Sequence, residues 1–152
     1  MAKFIYKMQN ILDIKLKLED QARTAYGNAV TQLEEEEKIL NRIEDRKAGY
    51  ENQLSELMSA SLEVGEILRI ENAIEIMNFK AEEQKLEVMR AERAVEKARE
   101  KLKEAMVERK IHEKLREKAF ENFKQEISAQ EKKEVDELVS YKYTSRAGSE
   151  EV

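Results

Sequence analysis

Proline, cysteine and tryptophan are absent from this chain, and only four of its 152 residues are glycine. Without proline, nothing in the chain forces a helix to stop. Without cysteine there is no disulfide and no thiolate chemistry, which leaves a reducing cytosol open to it. Aromatic residues reach only 6%, so a compact globular core is not expected. No apolar run approaches the roughly eighteen residues needed to cross a bilayer, and the first residues lack the apolar core of a signal peptide, so a cytoplasmic location is expected. Nor is there a glycine-rich phosphate loop or a nucleophile elbow, so catalysis has no candidate and no enzyme activity is expected.

What the chain has in abundance is charge: 40% of it is Asp, Glu, Lys or Arg. The dominant residues, Glu, Lys, Ala, Leu, Arg, Gln and Met, are strong helix formers. Apolar residues recur in register, which sets the chain apart from a disordered polyelectrolyte. The net charge of −5 argues against a nucleic-acid binder, which needs a basic face.

The helix-weak stretch Ser59 to Glu66 predicts a turn at about 59–65, with Ser59 or Ser61 as a cap for the following helix or Gly65 within the turn. One coiled-coil domain is expected over 1–152: helix 1 at about 3–58, helix 2 at about 66–139, and a frayed tail from 140 to 152. In helix 2 the residues Ile67, Ile70, Ile74, Met77, Ala81, Gln84, Val88, Ala91, Val95, Ala98, Leu102 and Ala105 keep strict heptad spacing. Beyond Arg109 that seam blurs through His112, Leu115, Ala119 and Phe123 toward Ile127. In helix 1 a heptad seam runs through Leu33, Leu40, Ile43, Tyr50, Leu54, Leu57 and Val64 if Glu36, Lys47 and Ser61 are admitted. Toward the N-terminus, Ile11, Ile14 and Leu18 followed by Ala22, Ala25, Ala29 and Leu33 read as an eleven-residue repeat, which predicts that the supercoil relaxes or reverses there.

Two long helices and a short turn predict an all-α, antiparallel two-helix coiled-coil hairpin, with arms about 80 and 110 Å long. Folding about residue 62 sets Met8 near Arg116. Helix 2 then overhangs with Phe120, Phe123, Ile127 and Leu138 uncovered by the chain. Alanine in the seam allows close approach but buries little area, and Gln84 and Glu36 trade stability for register.

Charge is segregated on this plan. Residues 1–33 and 97–124 together carry fifteen basic and nine acidic side chains, whereas residues 34–96 carry nine and seventeen. Such polarity suits partners of opposite charge at the two ends. Glu34 to Glu37 point in four directions on a helix and do not converge on a metal ion. His112, the sole histidine, reads as a partly buried helix residue rather than a base or ligand. Tyr26, Ile39, Met106 and Phe120 fall off the seam, as does a group at the turn, Met58, Leu62, Leu68, Ile76 and Phe79, that forms a candidate partner-binding patch.

The opening Phe4 to Lys15 (FIYKMQNILDIK), followed by Glu19-Asp20-Gln21-Ala22, resembles the start of the flagellar export FliJ family. Glu108 to Lys118 (ERKIHEKLREK) and Glu131 to Leu138 (EKKEVDEL) resemble that family's later blocks, and the length matches across the chain. The resemblance implies a hairpin similar to the central stalk of rotary ATPases, docked by its terminal half into a hexameric export ATPase and promoting its assembly and activity. It also implies contact with the membrane-embedded export gate, handling of export chaperones, and association with the inner face of the cell membrane. On that reading Lys3, Lys7, Lys15, Arg109, Lys114, Arg116 and Lys118 would meet the ATPase, and Tyr50, Met58 and Phe79 the gate, with no cofactor and a monomer in isolation. The equivalent injectisome stalk protein, a self-associating structural coiled coil and a client-gripping hairpin chaperone are the alternatives.

Overall fold

Helix-forming residues dominate both halves of this chain and no proline interrupts them, so the backbone closes its own hydrogen bonds over long distances. The structure, a computed structural model, describes residues 2–60 and 63–150. It contains two helices, α1 (Gln9–Ala60) and α2 (Val64–Glu150), packed against each other as a hairpin, with no strand among the described residues. The helices run antiparallel: Glu36 meets Gln84 and, further toward the N-terminus, Tyr26 meets Arg99.

At the turn, Ser59 does not cap the second helix. Its hydroxyl donates to the Glu56 carbonyl at the end of α1, 3.0 Å away. Glu63 takes the capping place, its carbonyl accepting from the Ile67 amide at 3.1 Å, and Gly65 sits inside the first turn of α2. Ser61, the other expected cap and an expected seam position, and Leu62 of the expected turn patch lie outside the described residues. The helix ends also differ from expectation. α1 starts at Gln9 rather than near residue 3, and α2 continues through the segment expected to fray, as far as Glu150. Serine, threonine and one glycine weaken a helix there without stopping it, whereas proline would have done so.

The chain packs as two units, Glu19–Ala105 and Met1–Leu18 with Met106–Val152. In the first, every α2 seam position from Ile67 to Ala105 is buried or half-buried, with Ile70, Met77, Ala81 and Ala91 forming the core. Each is covered by one helix only, so the core is thin, as alanine-rich pairing predicts. Gln84 crosses the seam and donates both to the Glu36 carbonyl, at 2.9 Å, and to the Glu36 carboxylate.

The eleven-residue repeat is not there. Leu12, Lys15, Glu19, Ala22, Tyr26 and Ala29, then Leu33, Glu36, Leu40 and onward to Leu57, are buried or half-buried in unbroken heptad spacing, with half-buried Gln9 before them and half-buried Val30 beside Ala29. Ile11, Ile14, Leu18 and Ala25 are exposed. Polar side chains occupy the seam because partners satisfy them. Glu19, only 4% exposed, accepts from Arg23 at 3.0 Å. Tyr26, expected off the seam, lies in it, and its hydrogen bond, aided by Glu96 and Glu100, holds the Arg99 guanidinium above its ordinary pKa.

In the other unit, Leu12 is the buried anchor of α1. Residues 2–8 leave the helical path, turning so that the Gln9 amide donates to the Tyr6 carbonyl at 3.2 Å. This strap lays the Phe4 ring against Phe120 and Phe123, with centroids 5.1 and 5.3 Å away. The expectation that Phe120, Phe123 and Ile127 lack cover within the chain is therefore wrong: Phe120 and Phe123 meet Phe4, and Ile127 is half-buried. The uncovered part of α2 begins after Ile127, and every described residue from Ser128 to Arg146 is exposed. Truncation of the half-buried Phe4 to alanine is expected to cost about 1–2 kcal/mol of burial and ring pairing. Amide exchange should then rise in the first turns of α1; unchanged exchange there would show that the strap holds nothing.

Candidate partner-binding surfaces

The seven expected ATPase contacts all lie in the terminal unit, but they divide into two groups. Lys15, Arg109 and Arg116 face other side chains. Lys15 sits 3.5 Å from Glu108, which also lies 4.0 Å from His112. Arg109 is paired with Glu113 at 2.9 Å. Arg116 donates to the Gln9 side chain at 2.9 Å and stacks over Phe4 at 5.7 Å. Gln9 beside Arg116 is within one residue of the Met8 register expected from the folding point. Lys15 and Arg116 thus tie α1 and its strap to α2, while Arg109 is held along α2 itself.

Lys3, Lys7, Lys114 and Lys118 are exposed. Lys7 lines a shallow groove floored by Phe4, Met8, Ala119 and Phe123, where the Tyr6 hydroxyl is buried without a hydrogen-bond partner. Lys114 and Lys118 are four residues apart and share one face of α2. Lys110 extends that row by one turn and was not among the expected contacts, although its spacing from Lys114 signals it. Beside the row, Val107, Ile111 and Leu115 are exposed. This outer face of α2 is thus basic along one edge and apolar along the other.

The three residues expected to meet a gate are not gathered. Tyr50 is half-buried in the α1 seam, Met58 is exposed near the end of α1, and Phe79 is 65% exposed. Val64, Leu68, Ile76, Leu86 and Met89 are exposed with Phe79, giving this stretch of α2 an apolar stripe outside the seam. Of the four consecutive glutamates, Glu36 turns into the seam while Glu34, Glu35 and Glu37 face solvent. No group of three or more metal-ligating side chains occurs among the described residues, and no helix among them is long and apolar enough to cross a membrane. His112 is half-buried, its Nδ1 without a hydrogen-bond partner.

Comparison with known proteins gives one family and one solved structure bearing on this geometry. The family model described as flagellar FliJ protein matches residues 4–148. A structure from Chlamydia trachomatis, described as that of a YscO homologue, is 26% identical, with a TM-score of 0.52 over 93% of this chain and 96% of the other. No curated protein matches the sequence.

Proposed function

Because this chain belongs to the flagellar FliJ protein family, and so to the proteins of type III export, we propose that it is a non-enzymatic stalk of the export apparatus. Its terminal unit docks into the hexameric export ATPase and promotes the assembly and activity of that ring. The other unit reaches the export gate, and the protein takes part in handling export chaperones. It works at the cytoplasmic side of the cell membrane.

The observation that carries this reading is the division of labour among the basic side chains. Lys15, Arg109 and Arg116 are spent within the hairpin, while Lys110, Lys114 and Lys118 present an exposed basic row on its outer face. Acidic loops of a ring are the partner such a row fits, since complementary charge speeds encounter and fixes orientation. Reversal of Lys114 and Lys118 to glutamate is expected to weaken binding to the purified ATPase by about tenfold or more, with a reduced salt dependence, and to leave helix content unchanged. Reversal of Lys132 and Lys133, on the uncovered segment, serves as the control. Equal binding by both double variants would sink this assignment.

The likeness to the Chlamydia trachomatis YscO homologue favours a second reading, in which the same stalk serves an injectisome-type secretion system. Binding to a flagellar rather than an injectisome ATPase separates the two.

A further inference from the structure

The strap of residues 2–8 lies on α2 without the backbone bonding of a helix, and its side chains work against one another. Closure is favoured by the Phe4 ring, which meets Phe120 and Phe123, and by Arg116, which reaches both Phe4 and the Gln9 side chain. Closure is opposed by Tyr6. Its hydroxyl is buried with no hydrogen-bond partner, although Asn122 and Glu126 of α2 line the same groove. A hydroxyl taken out of water and left unbonded costs about as much as an aromatic contact gains. Charge opposes closure as well, because the strap brings Lys3 and Lys7 to the positive end of α1, whose first turn has no acidic residue.

From this balance we infer that the strap is a latch, closed by only about tenfold over open, that withholds an aromatic face of α2. Closed, Phe4 occupies the face and leaves Ala119 and Phe123 half-buried. Open, the Tyr6 hydroxyl returns to water and Ala119, Phe120 and Phe123 are presented together. The strap thus acts as an internal competitor: anything that binds this face must first displace Phe4. A strap with a bonded hydroxyl would close too firmly to be displaced, so the unbonded one sets the latch near its balance point. This inference rests on the contacts of the strap and does not depend on the export reading.

The Gln9 amide reports the latch, since it donates to the Tyr6 carbonyl where the strap turns. Amide exchange of the full chain, followed by NMR, is the test. Gln9 is expected to exchange only about tenfold more slowly than an open chain, far less protected than Ala81 in the seam. Tyr6→Phe keeps the ring and deletes the unbonded hydroxyl, so it should slow exchange at Gln9 by about a further tenfold. Phe4→Ala should bring Gln9 to the open-chain rate, and Tyr143→Phe, at a ring that is 77% exposed, should leave it unchanged. Protection of Gln9 in the parent chain as high as that of Ala81 would overturn the inference. So would exchange in Tyr6→Phe that is equal to or faster than in the parent. Protection at Ile70 and Met77 checks that each variant keeps its fold.

Discussion

Ala81→Asp is expected to lower the unfolding temperature of the hairpin by about 10 °C or more. Ala81 is buried at the centre of the α2 seam, between Met77 and Gln84, and the α2 cation one turn away, Lys85, is already paired with Glu82 at 3.2 Å. A carboxylate there must be desolvated without a partner or hold the helices apart, and either route costs about 3–5 kcal/mol. For a chain of this size that converts to the stated shift at about 2–4 °C per kcal/mol. The same change at the exposed neighbour Lys80 should stay within about 0.5 kcal/mol. Thermal unfolding followed by circular dichroism compares the two. Equal midpoints would mean that the seam is open to water at residue 81, contrary to its burial.

Leu12→Ala is the second large effect expected, and it should be local. Leu12 is 4% exposed and is the anchor of α1 in the terminal unit. Its truncation removes three methyl-sized groups from a thin core and should cost about 2–3 kcal/mol, the low end of the usual range because water can enter the gap. Hydrogen exchange should accelerate in residues 9–18 and 106–123, while protection around Ile70, Met77 and Ala81 stays near its parent value. Uniform acceleration along both helices would show instead that the chain opens as one cooperative body.

The parts of the fold legible in the sequence are those where burial and apolarity coincide. From Ile67 to Ala105 almost every seam residue is aliphatic, and heptad counting identifies all of them. At the start of α1 the coincidence fails. Lys15, Glu19 and Tyr26 hold seam positions because Glu108, Arg23 and Arg99 satisfy them. A search for apolar recurrence passes over those residues and settles on Ile11, Ile14 and Leu18, which face outward. The strap escapes for a different reason: Phe4 finds its partners through an aromatic contact that has no period in the sequence.

The same limit applies to the basic surface. Lysines and arginines alone do not reveal which are consumed inside the hairpin. Lys15, Arg109 and Arg116 look no different in sequence from Lys114 and Lys118. Only the antiparallel register, which places Glu108 opposite Lys15 and Gln9 opposite Arg116, separates fasteners from exposed cations. Lys110 was within reach, because it precedes Lys114 by the four residues that define one helical face.

The two hydrogen bonds from Gln84 to Glu36 also have a mechanical meaning. A seam of alanine, valine and leucine offers nearly the same contacts after a slip of one heptad, so under opposed pulls on its helices it would creep. A slip of that size would carry Gln84 away from Glu36 and set its amide against Ala29 or Ile43, where it finds no carboxylate and loses both bonds at once. The tie therefore acts as a pawl: this stretch of the hairpin resists shear up to a threshold and then yields abruptly, where an all-aliphatic pair would flow.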